Sequence, residues 1–145
     1  LRLGVGKDAD NLYITCKVKD GELYSGGQGT QKGSGVFIYL DTKNECLKEP
    51  AEGVYKVWCS YKGDITVWQG NKGKWENSEL EGLQITPSVV SGGYELAFTI
   101  PLNRSFNKDA MRLCATLSTK TYTETLVHSN ADRSCTWMKM NLGGH

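Results

Sequence analysis

Apolar and polar residues alternate along most of this chain, and a period of two is the mark of half-buried β-strands. Asn11–Lys19 shows it cleanly, with Leu12, Ile14, Cys16 and Val18 on one face and Tyr13, Thr15, Lys17 and Lys19 on the other. Gly35–Asp41 sets Val36, Ile38 and Leu40 against Phe37, Tyr39 and Asp41. Both faces are apolar at mid-strand, which predicts a central strand. Tyr94–Pro101 is the strongest signal, and Arg112–Thr119 places Leu113, Ala115 and Leu117 opposite Cys114, Thr116 and Ser118. Lys74–Ser78 is a short strand or edge, and Gln84–Val90 carries Pro87, which suits an edge or a bulge. Thr121–His128 reads as an edge strand or a loop, and Thr136–Leu142 as a closing strand. Between these runs lie a turn at Asp8–Asn11 and loops at Asp20–Ser34, Thr42–Glu52, Leu102–Ala110 and Ser129–Cys135. No amphipathic helix, internal repeat or low-complexity segment fits.

The stretch from Val54 to Gly70 predicts a β-hairpin turning at Lys62-Gly63-Asp64. A two-residue loop pairing Tyr61 with Asp64 mixes apolar and polar side chains on each face. A three-residue loop pairs Tyr61 with Ile65, Cys59 with Val67 and Trp58 with Trp68. It gathers Tyr55, Val57, Cys59, Ile65 and Val67 on one face and Lys56, Trp58, Ser60, Thr66 and Trp68 on the other. A slip of one residue turns the whole apolar set outward, so the odd loop is preferred. Two tryptophans then stand side by side on an otherwise polar face.

Glycine is frequent (17 of 145 residues) and proline scarce (3), and Gly, Asn, Asp, Ser and Lys punctuate the short runs. This pattern predicts one all-β domain over residues 1–145, an antiparallel β-sandwich, jelly-roll-like and of immunoglobulin-like size. The formal net charge of +1 comes from interspersed Lys, Asp and Glu, so nucleic acid and an anionic membrane are not expected partners. No apolar run is long enough to span a bilayer. No signal-peptide pattern opens the chain, and its start at Leu1 without Met reads as a processed or excised piece. The 5 cysteines match no zinc spacing. Cys16, Cys59 and Cys114 fall at strand positions that read as small buried hydrophobes. Cys46 and Cys135 sit in loops and could pair, and the odd total leaves at least one free thiol or a bond to another chain.

Trp58 and Trp68 are the first candidates for chemistry. An indole face stacks on the C–H face of a sugar ring and loses little entropy in doing so. Trp75 and Tyr24 would extend or wall this platform, with Tyr24 on a long loop. The competing reading packs the tryptophans against a loop or a second protein, and Trp75 alone suits an edge-packing role equally. Asp20, Asp41 and Glu45 are the acids to consider for a structural calcium ion, although no EF-hand spacing is present and solvated turn acids explain them too. No nucleophile–base pair stands out: His128 and Ser129 are adjacent and point apart, and neither G-x-S-x-G nor H-E-x-x-H occurs.

Four segments in order, DADNLYITCKVKD (8–20), SGVFIYLDTKN (34–44), SGGYELAFTIPL (91–102) and NADRSCTWMKMNL (130–142), resemble the family 9 carbohydrate-binding modules and the related DOMON-like β-sandwiches. The family's opening strand, near which its calcium tends to lie, has no counterpart in this pattern. The resemblance implies a closing-strand role in the core for Trp137 and a sugar-contacting loop for Asn130 and Arg133. Arg offers a rigid fork of donors, and Asn both donor and acceptor, while Arg133 paired with Asp132 is the alternative. A haem-binding DOMON branch would need axial Met and His, and Met138 points outward if Trp137 points inward. The expectation is therefore a non-catalytic carbohydrate-binding module, not an enzyme. It would be extracellular or at the cell surface, tethered to a catalytic domain of the same polypeptide, a secreted carbohydrate-active enzyme. Trp58 and Trp68 would form its platform, with Asn130, Arg133 and Gln69 as polar orienters. The competing class is a structural or protein–protein interaction domain of a larger extracellular protein.

Overall fold

The computed structural model describes residues 1–25, 33–119 and 131–142, and the backbone alone of Thr123–Thr125. Eleven strands form: β1 (Arg2–Lys7), β2 (Asn11–Lys19), β3 (Gly35–Asp41), β4 (Val54–Ser60), β5 (Ile65–Asn71), β6 (Lys74–Asn77), β7 (Gln84–Val90), β8 (Gly93–Pro101), β9 (Ala110–Ser118), β10 (Thr123–Thr125) and β11 (Met138–Asn141). A 3-10 turn, Ser134–Thr136, precedes the last. All pairings are antiparallel. The smaller sheet runs β1-β2-β8-β7, and the larger runs β10-β9-β3-β4-β5-β6 with β11 also on β9. The expected all-β sandwich is the observed fold.

The sandwich core is built by the alternation. Leu12, Ile14, Cys16 and Val18 of β2, with Tyr94, Leu96, Phe98 and Ile100 of β8, face Val36, Ile38 and Leu40 of β3, Val57 and Cys59 of β4, and Leu113 and Ala115 of β9. Each large apolar side chain so buried contributes about 1.5–3 kcal/mol. β3 lies between β9 and β4, as its two apolar faces predict, and Pro87 sits in β7 at a sheet edge, where its missing N–H costs no ladder bond.

Three expectations are corrected. An opening strand does exist: β1 pairs with β2 along its whole length, Val5 opposite Ile14 and Leu3 opposite Cys16. Gly4 and Gly6 had diluted its alternation. Cys114 is buried, but on the outer face of the larger sheet, beside Tyr39 and Trp137. In the hairpin, Ser60 N donates to Asp64 O at 2.9 Å, so the loop is Tyr61-Lys62-Gly63 and the register moves by two residues. Gly63 has φ +94°, the left-handed value such a loop needs. Parity is preserved, so the faces stand as expected, but Trp58 faces Thr66, and Trp68 faces Lys56.

Candidate functional site

Each strand that sends one set of residues into the core sends the alternate set outward, and on the larger sheet that outer set is aromatic. One cross-strand row reads Cys114, Tyr39, Lys56, Trp68, Asn77, and the next Thr116, Phe37, Trp58, Thr66. Trp75 of β6 stands opposite Gly70, which has no side chain because the backbone of Pro50-Ala51 lies on it, within 2.2–2.7 Å of where a Cβ would be. Phe37 approaches Trp58 at 4.8 Å between ring centroids and Trp68 at 6.3 Å, and Tyr39 approaches Trp75 at 6.1 Å.

These rings form a shallow cup around one ammonium. Lys56 Nζ lies 5.0 Å from the Phe37 centroid, 5.0 Å from Trp68, 5.8 Å from Tyr39 and 5.9 Å from Trp75, all within cation–π range. The side chain is half-buried. Burial lowers the Lys56 pKa, while the nearby Asp132 carboxylate pulls the other way. Burial pushes the Tyr39 phenol up to about 12. Asp132 also accepts a 2.9 Å hydrogen bond from Trp75 Nε1, which fixes the orientation of that indole.

A clasp holds Asp132 in place. Asp41, at the end of β3, accepts from the N–H groups of Glu45 (3.2 Å) and Cys46 (3.1 Å). Cys46 is disulfide-bonded to Cys135, the pairing the loop positions had allowed. Leu47 N donates to Ser134 Oγ at 2.6 Å, and Cys135 N donates to Leu47 O at 3.0 Å. The loop after β3 is thereby bound to the segment that carries Asp132 and Trp137. The remaining cysteines, Cys16, Cys59 and Cys114, are buried and form no disulfide.

The expected site residues are only partly brought together. Trp68 and Trp75 are half-buried walls of the cup. Trp58 is on the same face but only 2% exposed: its indole lies over Gly35, where an added Cβ would come within 2.6 Å of the ring. It is a floor residue, unable to present its face as a platform. Trp137 is 3% exposed and packs on Tyr39 at 5.7 Å, buried as expected but in the outer-face cluster rather than the sandwich core. Gln69 alternates with Trp68 and so points to the other face, where its Oε1 accepts from Gly53 N and its Nε2 donates to Ser78 Oγ. There it lines a polar cleft of about 320 Å³ with Glu52 and Glu76, away from the cup. Tyr24 is 46% exposed; its backbone bonds to Ser34 at the start of β3, and among the described residues its ring makes no contact with the cup. Arg133 is exposed and precedes the 3-10 turn, whose Thr136 Oγ1 donates to its carbonyl. Asn130 lies outside the described residues.

The three acids considered for calcium do not meet. Asp20 is tied to Glu22 N and Ser34 Oγ at one end of β3, and Asp41 stands at the other, roughly 20 Å away at about 3.3 Å per residue. Both Asp41 oxygens accept from backbone N–H groups, and Glu45 is exposed. Among the described residues no three His, Cys, Asp or Glu side chains gather as a metal-holding group, so the trio does not fit one ion. Two residues central to the cup, Lys56 and Asp132, were not among the sequence candidates. Their signals were the outward parity of Lys56 in the hairpin and the position of Asp132 in the loop before Trp137.

Comparison with known proteins places the fold. No protein-family model matches the chain, and no curated protein does. Among solved structures, the chain is similar to a family 9 carbohydrate-binding module from Caldicellulosiruptor kristjanssonii in complex with cellotriose, with a TM-score of 0.80 and 14% identity over 99% of this chain and 74% of that one. It is equally similar to a family 9 module from the same organism in complex with glucose, with a TM-score of 0.79, 14% identity, and coverage of 99% and 76%.

Proposed function

We propose that this chain is a non-catalytic carbohydrate-binding module that takes a saccharide against the aromatic outer face of its larger sheet. The observation that carries the reading is the row Tyr39–Lys56–Trp68 closed by Trp75. Half-exposed indoles offer faces for sugar C–H groups, Lys56 offers donors, and Asp132 stands at the rim as an acceptor. Its support from outside is the likeness in fold to modules bound to cellotriose and glucose. In the same reading the module works outside the cell or at its surface, appended to a carbohydrate-active enzyme. The Cys46–Cys135 bond favours an oxidising compartment.

Titrating the protein with glucose, cellobiose and cellotriose tests this, with intrinsic tryptophan emission and calorimetry as readouts. Saturable binding is expected, lost in Trp68→Ala and Trp75→Ala variants that keep the wild-type circular dichroism. A folded protein that responds to no glycan in a broad panel overturns the reading in favour of an interaction domain.

A further inference from the structure

Resting on the saccharide reading, we propose that Lys56 is the specificity-determining residue of the cup, and that the ligand it selects is an acidic saccharide carrying a hexuronate carboxylate. Lys56 carries a donor set that the described residues leave unmatched. An ammonium has three N–H donors and no acceptor. Among the described residues, Lys56 Nζ makes no hydrogen bond, and the one ion pair, Lys17–Glu95 at 3.9 Å, is elsewhere. Its neighbours are four ring faces at 5.0–5.9 Å. Rings balance part of its charge but give the N–H groups no oxygen to bond. The side chain is also half out of water, as its lowered pKa reflects.

The two charges at the site are unequal in effect. Asp132 is exposed, so water screens it, and it already accepts from Trp75 Nε1. Lys56 sits at the floor, ringed by apolar surface, where a charge acts with less screening. Of the two, Lys56 is therefore the charge that a ligand at the floor would meet with less screening. A ligand stacked between Trp68 and Trp75 would place one of its oxygens over Nζ. A hydroxyl oxygen would accept one bond from the ammonium and leave its charge uncompensated, whereas a carboxylate would accept and also bring the opposite charge.

The test compares two probes of equal length: cellotriose, and its terminally C6-oxidised uronate. Wild-type protein is expected to bind the uronate about tenfold more tightly at low ionic strength, a difference of about 1.4 kcal/mol. That preference should shrink as salt is raised and vanish in Lys56→Met, which keeps the apolar stem. Equal affinities, tighter binding of the neutral sugar, or a preference that survives Lys56→Met would overturn the assignment while leaving the saccharide reading intact. The salt series on the wild type needs no variant, so a misfolded Lys56→Met would not rescue the proposal. If the folded wild type binds neither probe, the hexuronate assignment fails, and the broad glycan panel decides the saccharide reading separately.

Discussion

Trp58 and Trp68 lie on one face of one hairpin, yet their removal should have opposite consequences. Trp58 is 2% exposed, rests on Gly35 and packs against Phe37 at 4.8 Å. Replacing such a side chain by Ala leaves a cavity and costs about 3–5 kcal/mol, a large share of the 5–15 kcal/mol typical of a domain. At about 2–4 °C per kcal/mol for a chain of this size, the melting temperature of Trp58→Ala should fall by roughly 10 °C. Trp68 is half-buried, so about 100 Å² of its indole is covered, and at ~25 cal/mol per Å² its truncation costs about 2.5 kcal/mol at most. Binding should behave the other way round: Trp68→Ala abolishes it at temperatures where the protein is fully folded. Gly35→Ala provides an independent check. An added Cβ would come 2.6 Å from both the Trp58 ring and Cys59 O, so it should destabilise without touching the cup walls. Scanning calorimetry and isothermal titration on the same preparations would decide. A Trp58→Ala protein melting within about 2 °C of wild type but unable to bind sugar would refute the burial argument and return Trp58 to the platform.

Three other outcomes follow from the same structure. Burial pushes the Cys16 and Cys59 thiols from 9.0 up to about 12, pushes Tyr39 from 10.0 up to about 12, and raises Tyr94 as well. The unfolded chain loses these protons first, so stability that is complete below about pH 9 should decline as pH rises toward 12, with the lowered Lys56 opposing as a single group; a urea midpoint that stays flat between pH 8 and 11 would contradict this. The Tyr94 hydroxyl is buried with no hydrogen-bond partner among the described residues, so Tyr94→Phe should leave stability unchanged or raise it by about 1 kcal/mol, and a loss of that size in urea melts would show a hidden partner. Reducing Cys46–Cys135, which closes a separation of 89 residues, should cost about 4.6 kcal/mol by chain entropy and also weaken sugar binding through the segment that holds Asp132; melting and titration with and without a phosphine reductant would report both, and unchanged values would remove the clasp from the site.

Most strands were legible because alternation is a direct physical trace of a two-faced environment. β2 and β3 were read to the residue, while β1 was lost because glycines occupy its outward positions. The hairpin shows where pattern stops. A slip of one residue exchanges the faces and is visible; a slip of two preserves them and is not. What chooses between those registers is local chemistry: Ser60 Oγ accepts from the N–H groups of Lys62 and Asp64, and Gly63 N donates to Ser60 O. That bond set moved Trp68 from beside Trp58 to beside Lys56, and with it the centre of the site. Gln69 is a different kind of miss, because its parity alone puts it on the opposite face from Trp68. The contact of Trp75 with Asp132 spans 57 residues and depends on the clasp, which no local pattern encodes.

The two sheets also differ in what lies on their outer faces, and the difference bears on function. A sandwich needs one apolar face from each sheet. The smaller sheet does little more than meet that requirement: outside it presents Tyr13, Thr15, Lys17 and Glu95, with Lys17 and Glu95 in an exposed ion pair, and its exposed valines, Val5, Val89 and Val90, lie on its two edge strands. The larger sheet carries a second apolar cluster of Tyr39, Val54, Cys114 and Trp137, with Phe37 and Trp75 against it. Closing the core does not require that cluster. It orders aromatic side chains on a surface that polar residues would keep soluble at less cost, and it half-buries an ammonium that gains no protein acceptor among the described residues. A face assembled against the solvation preference of its own lysine is what the proposed saccharide site predicts, since a polyhydroxylated ring lying on indole faces would supply the missing oxygen.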